Sequence, residues 1–373
     1  MIDHSPEHGN AIRPTPARRR PSRPLIPGGL RGGTALVTMT LLFAGCAPDP
    51  QASADDGSTF RGGEGGFPEE AALFTDLEEL TGLPEHPRAG ASSEFWEHWG
   101  DGRAELSGYR VTTTRYGEPR EGELSLIYVT EPHDRRSWIK DDDAQSPHRV
   151  EVLKLIRTNS FMTGVYPYSV MASTFAPVEH WRDERFQPVR VNLEVQEWCG
   201  SVSHRVWPGT DRLRSLRLSY FATEGETLRD VEIPAGTLFE DALLIQLREL
   251  DGPFYDGEDW EGWLVPELWR LRTGHGPVQA ERARITRSLE EREGVPVTRF
   301  RLEAGDYERT FDVERDSPGR VLGWTTSTGE EAELIATERL AYWELNRLGD
   351  ESYREELGLS PLASIPPGTV GCF

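Results

Sequence analysis

Few residues of this chain stand at spacings that could do chemistry. Cys199 and His204 are five apart, and a thiol beside an imidazole is the pairing a cysteine nucleophile needs. On an extended strand an odd separation puts two side chains on opposite faces, so only a fold-back at Gly200 would join them. Asp256 with Asp259, and Glu118 with Glu121, are acid pairs of the kind a hydrolase sets about 5 to 10 Å apart across a groove. Asp141-Asp142-Asp143 and the acidic loop 256–261 offer oxygen ligands for calcium, although neither has EF-hand spacing. Phe254, Tyr255, Trp260, Trp263 and Trp269 crowd into sixteen residues beside Asp256, Asp259 and Glu261. Rings that stack and carboxylates that hydrogen-bond suit a sugar or other ligand, and Tyr255, Trp260 and Trp263 are the candidate contacts. Core and rim packing explains the same aromatic residues. Gly-x-Ser-x-Gly, His-Glu-x-x-His and Cys-x-x-Cys are all missing from the sequence, and the nine histidines are scattered. No catalytic residue, metal ligand or cofactor is therefore assigned.

Cys46 carries a different chemistry. It closes the run Leu41-Leu42-Phe43-Ala44-Gly45-Cys46, with small residues just before the cysteine, behind an apolar stretch at 34–45 and a basic region holding Arg18, Arg19, Arg20, Arg23 and Arg31. The pattern resembles the bacterial lipobox, with Phe43 where leucine is usual. An apolar run this short does not span a bilayer, which takes roughly 20 residues. The expectation is a signal peptide over 1–45 and a lipidated Cys46, anchored by two or more acyl chains in the membrane. Ala47, and not Asp, follows the cysteine, which points to the outer membrane facing the periplasm over the inner membrane.

The leader carries six arginines and two acids, so its removal takes the formal charge from −22 to −26. Such a surface repels phosphate backbones, which excludes nucleic acid as a partner. The mature chain is long enough for one large domain or two modest ones, and its 11 tryptophans give it the means to build a core. With Cys46 consumed by lipid, Cys199 and Cys372 remain as an even pair in a compartment that permits disulfides. Closing so long a loop would stabilise by up to about 5 kcal/mol. The alternative for Cys199 is a small buried hydrophobe.

These residues must be positioned by the elements the sequence encodes. Residues 46–90 begin as a Pro-, Gly- and Asp-rich tether, with an amphipathic stretch at 69–80 that reads as a helix docking on the body. Residues 91–360 form a single β-rich domain, and 361–373 a tail. Phe95, Trp96, His98 and Trp99 have helical spacing, as expected of a helix packed on a sheet. Beyond them the apolar period is two. Residues 109–116 and 123–130 read as a hairpin around a 117–122 loop, and Val189, Val191, Leu193 and Val195 alternate with polar residues. Similar runs lie at 150–158, 165–175, 213–221, 297–303, 307–313, 321–326 and 332–340. The fold class is mainly β (α+β): a curved antiparallel sheet, open barrel or sandwich with a few covering helices. One helix is expected after a Thr237/Glu240 capping box, with Phe239, Leu243, Leu247 and Leu250 on one face and a stop at Asp251-Gly252-Pro253. Another is expected over 341–348, continuing through 357.

The blocks Phe95-Trp96-Glu97-His98-Trp99-Gly100-Asp101-Gly102-Arg103-Ala104-Glu105-Leu106, Arg115-Tyr116-Gly117-Glu118-Pro119-Arg120-Glu121-Gly122, Val129-Thr130-Glu131-Pro132 and Gln196-Glu197-Trp198-Cys199-Gly200 occur in that order. Together they resemble an uncharacterised family of exported bacterial proteins, over most of 95 to 348. Some of its members carry the label septum formation inhibitor Maf. True Maf proteins look like cytoplasmic nucleotide pyrophosphatases, an activity that a leader, a lipobox and a β-rich body do not fit. The resemblance implies export and supplies no catalytic residues. The expected function is thus that of a non-enzymatic envelope lipoprotein, binding an apolar or glycan ligand or another envelope protein on the concave face of its sheet. The alternative is an envelope hydrolase acting on glycan or peptide through the paired carboxylates.

Overall fold

Period-two alternation builds most of this protein. The computed structural model describes residues 76–82, 91–180, 186–250 and 259–360, so Cys46, nearly all of the 46–90 segment expected to start as a tether, Tyr255, Asp256 and Cys372 lie outside the described residues. Two short helices come first, α1 (Leu77–Thr81) and α2 (Ser93–Trp99). The first half of the sheet follows as β1 (Ala104–Arg115), β2 (Glu118–Asp134), β3 (Ile139–Lys140), β4 (Arg149–Thr163), β5 (Tyr166–Pro177), β6 (Arg190–Glu197), β7 (Gly200–Pro208), β8 (Arg212–Ser219) and β9 (Glu226–Glu232). Next come β10 (Leu238–Phe239), α3 (Leu243–Glu249), β11 (Trp260–Val265) and α4 (Leu268–Gly274). The chain then runs through β12 (Glu281–Arg292), β13 (Val295–Ala304), β14 (Tyr307–Glu314), β15 (Val321–Thr326), β16 (Glu331–Leu340) and α5 (Tyr353–Glu356).

All sixteen strands join one curved, open sheet in the order β10-β11-β12-β13-β14-β15-β16-β1-β2-β4-β5-β6-β7-β8-β9, with β3 on β2. Neighbours are antiparallel except β10 and β11. Two meanders meet where β1 pairs with β16, from Ala104 opposite Leu340 to Thr112 opposite Glu331. Both edges are blunted against further pairing: β10 is two residues long, and β9 carries Glu226, Arg229, Asp230 and Glu232.

The first five residues of helix α3, Leu243, Leu244, Ile245, Gln246 and Leu247, are all sealed, and only its end at Arg248 and Glu249 is less buried. A helix apolar all round belongs inside a core. It packs in one cluster with Tyr109, Leu126, Tyr128, Leu155, Phe300, Phe311 and Trp324 from the sheet. On the other face of β1, Ala104 and Leu106 meet Leu357 and Leu359 beside α5. The chain approaches so closely there that a Cβ on Gly108 would stand 2.0 Å from the Leu357 carbonyl oxygen.

The expected strand runs are present, and Phe95 and Trp99 of α2 enter the core; of the helix expected over 69–80, 69–75 lie outside the described residues, and α1 covers only its end, with Leu77 and Leu80 packing against Trp138 and Trp207. Three boundaries differ. The β1–β2 loop is two residues, Tyr116 and Gly117, at φ 57° and 75°, the mirror-image turn that matches strand twist. Pro119 still fits in β2 because the ladder to β4 starts only at Gly122. The Thr237/Glu240 capping box does not form: Thr237 Oγ1 donates to the Pro234 carbonyl, and the Glu240 carboxylate accepts from Tyr307 and the Glu267 N–H, with Arg309 beside it. Helix α3 therefore starts at Leu243, after a 3-10 turn over Glu240–Ala242. Finally, 341–357 is not one helix but two 3-10 turns, Tyr342–Glu344 and Asp350–Ser352, followed by α5, with Gly349 at φ 99° breaking the run.

Candidate functional site

A cavity of about 780 Å3 lies under α2. Ser92 caps that helix by accepting a hydrogen bond from the Phe95 N–H, at 3.2 Å. With Phe95 and Trp99 committed to the core, Glu94 and His98 are left on the cavity wall. The C-terminal turn of α3 supplies Leu247, Arg248 and Glu249, and β12 to β14 close the far side through Arg287, Thr298 and the 313–319 turn.

Two carboxylates of opposite character stand here, Glu249 on the cavity wall and Glu105 sealed behind Arg248 and His98. Glu105, on β1, takes Arg248 Nη1 at 2.6 Å and Nη2 at 3.3 Å, and lies 3.0 Å from His98 Nε2. Burial opposes its ionisation, but the charge of Arg248 and the bonds from His98 and Arg248 hold it down at about 2. Glu249 accepts from Trp99 Nε1 at 3.2 Å, and there burial wins over the Arg248 charge and pushes the carboxyl up. The Arg248 guanidinium is fixed between the rings of Trp99 and Tyr128, 5.1 and 4.5 Å away, and donates to the Pro318 carbonyl. Arg339 closes the outer side by donating to the His98 carbonyl at 2.6 Å. The wall therefore offers a carboxyl pushed up by burial, 3.4 Å from the Nε of a fixed cation. The two acids are driven apart by their surroundings, as Asp241 and Glu267 also are beside α4, and it is the adjoining cavity that makes this pair a candidate site.

No family model matches this chain, and no curated protein does.

A second charged cluster packs against α4. Arg157 donates to Glu267 at 2.6 Å and to Glu330 at 2.8 and 2.9 Å, Trp324 Nε1 donates to Glu330 at 2.7 Å, and Arg309 bridges Glu240 and Glu267. Burial and the Glu267 charge drive Asp241 strongly toward its neutral form, while the charges of Arg157 and Arg309 overcome burial to keep Glu267 ionised.

The residues singled out from the sequence are scattered. Cys199 is exposed at the β6–β7 turn, and Cys372, its suggested partner, lies outside the described residues. His204 is buried on β7 with Nε2 2.8 Å from Ser215 Oγ; burial and the Arg217 charge lower it to about 4, so it is a neutral core imidazole. Glu118 and Glu121 fall on alternate faces of β2, paired to Arg120 and to Thr112. Asp259 pairs with the exposed Arg284, and Asp256 is outside the described residues. The stretch read as an aromatic loop contains strand β11: Trp260 is in the core, and Arg282 lies 4.8 Å above the ring of Trp263. Neither borders the cavity under α2. Asp141 to Asp143 form local turns, and among the described residues no group of three His, Cys, Asp or Glu side chains is placed to hold a metal ion. The spacing Ser137-x-x-Lys140 also occurs, but Lys140 is exposed and paired with Glu131.

Glu105, Arg248 and Glu249 gave no sequence signal. Glu105 and Arg248 are 143 residues apart, and each reads alone as a solvent-facing charge.

Proposed function

We propose that this protein is a lipid-anchored component of the cell envelope that holds a ligand in the cavity under α2 without turning it over. The observation that carries the reading is the 780 Å3 cavity walled by Glu249, a carboxyl pushed up by burial, next to a fixed Arg248 and His98. Its volume is in the range of small-molecule sites. A ligand with hydrogen-bond acceptors and an apolar body suits the mixture of Phe95, Trp99 and Leu247 with these polar groups. Hydrolysis is supported less well, because a glycosidase needs two available carboxylates and both oxygens of Glu105 are taken by Arg248 and His98. The anchor rests on the lipobox at Cys46, and export on the resemblance of the sequence blocks. Helices α3 and α4 fill much of one sheet face, so the cavity, and not an open concave sheet, is the place for the ligand.

The test is native mass spectrometry of a soluble Cys46→Ser form purified gently from envelope extract. A retained lipid, glycan or peptide is expected, and would name the ligand class. An empty, unmodified mass would count against the reading, as would a full-length chain that takes up no labelled palmitate at Cys46.

A further inference from the structure

A separate pocket of about 310 Å3 opens between the β1–β2 turn, α4 and the β15–β16 turn. Arg115, the last residue of β1, lies on its wall and is only 8% exposed. Its Nε and Nη2 donate to the Tyr168 hydroxyl at 3.4 and 3.3 Å, and its guanidinium carbon is 4.4 Å from the ring of Tyr116. No carboxylate pairs with it among the described residues, and its Nη1 has no hydrogen-bond partner among them. Arg157 and Arg309, the other sealed cations nearby, each hold two glutamates. Glu267 and Glu330 also stand on the pocket wall, but they are taken by Arg157 and Arg309, so Arg115 has no carboxylate of its own, and a guanidinium in that state is costly unless an anion completes the site. Arg270, also on the pocket wall, is paired with Glu281 and Glu240 and stacks over Tyr307 at 3.9 Å, and its buried Nη1 has no partner among the described residues.

An independent feature adjoins this cation. The Tyr116 and Tyr168 hydroxyls are 2.6 Å apart, Tyr166 donates to Tyr116 at 3.4 Å, and the ring of Tyr166 stacks on Trp198 with centroids 6.3 Å apart. These residues belong to the tips of three hairpins, β1–β2, β4–β5 and β6–β7, that the strand order sets side by side. Tyr116 and Trp198 are 57% and 72% exposed, so each ring, although covered on one side by Arg115 or Tyr166, presents surface to a partner. Flat rings suit the C–H face of a sugar, and a fixed guanidinium suits a carboxylate or phosphate through two N–H donors.

We propose that the pocket and the adjoining rings bind an anionic sugar, a pyranose bearing a carboxylate or phosphate, with Arg115 holding the acid group and Tyr116 and Trp198 the ring face. This site is distinct from the cavity under α2. The test is a ligand-detected NMR titration of the mature protein with glucuronate, glucose 6-phosphate and glucose. At least one of the two acids binds about tenfold more tightly than glucose, the advantage one bidentate charge-assisted contact supplies. Whichever acid binds identifies the group. Arg115→Gln brings the acid down to the level of glucose, while Trp198→Ala weakens every sugar roughly fivefold and keeps the preference for the acid. If Arg115→Gln loses its folded circular dichroism, Arg115→Lys replaces it, with partial loss expected because the charge stays and the fork goes. The proposal is overturned if neither acid outcompetes glucose, if the substitutions leave binding unchanged, or if the tips bind phosphatidylcholine vesicles while no sugar binds.

Discussion

Two charge networks built from the same residue types are put to different uses. Against α4, Arg157, Arg309, Glu240 and Glu267 are all less than a tenth exposed and bond mainly to one another. Under α2, Glu105 and Arg248 are equally sealed, but the groups beyond them, His98 at 24% and Glu249 at 12%, reach a cavity. Both border a pocket, but His98 and Glu249 under α2 are more exposed than Glu267 and Glu330 beside α4, so the degree of exposure, not composition, separates them. The closed network ties β4, β14 and the start of α4 to the β15–β16 turn. The open one uses the same kind of ion pair to hold two side chains ready for a ligand.

Breaking the closed network gives the largest effect. Arg157→Met strands Glu267 and Glu330 in the interior and costs about 3 to 5 kcal/mol in urea unfolding. A loss smaller than that of any substitution under α2 would break the comparison. Glu105→Gln comes next, at about 3 kcal/mol near pH 7, from a carboxyl held at about 2 against an ordinary 4.5. The folded carboxyl is depressed, so its contribution is full above 4.5 and is lost as the pH falls toward 2. Wild type and variant should therefore converge in stability at the acid end of that window. Gly108→Ala drives a methyl into the Leu357 carbonyl and costs about 1 to 3 kcal/mol, seen as faster hydrogen exchange over Tyr353–Glu356. Glu249→Gln is the mildest, below about 1 kcal/mol, because burial already works against the charge on Glu249 and the amide oxygen can still accept from Trp99 Nε1. A large loss there would show Glu249 to be an ionised structural acid and would erase the contrast.

The parts of the fold legible in the sequence are those where one face is dry. Val191, Leu193 and Val195 of β6 are buried while their neighbours are not, and the pattern alone places that strand. Strand β12 escaped because its order, Glu281 to Arg292, is mostly charged and only Ala283 and Ile285 are buried. Strand β11 was hidden by its mixture of tryptophan and acid, which reads equally as a loop. The start of α3 was misplaced because Glu240 serves Arg309 and Tyr307, partners far along the chain that outweigh a local cap. The candidate site followed the same logic. Trp99 and His98 were visible through helical spacing, but Glu105 on β1 is a charge facing inward, and its reason for being there, Arg248, is supplied by a distant helix.

The claim that the cavity under α2 holds a ligand is tested most directly by comparing native mass spectra of the wild-type protein and Glu94→Trp, both purified from the envelope. Glu94 is exposed on the cavity wall, so the indole narrows the entrance without entering the core. The account predicts a bound mass on the wild type that is lost from Glu94→Trp, with both chains equally stable. The same bound mass on both, or none on either, would contradict it.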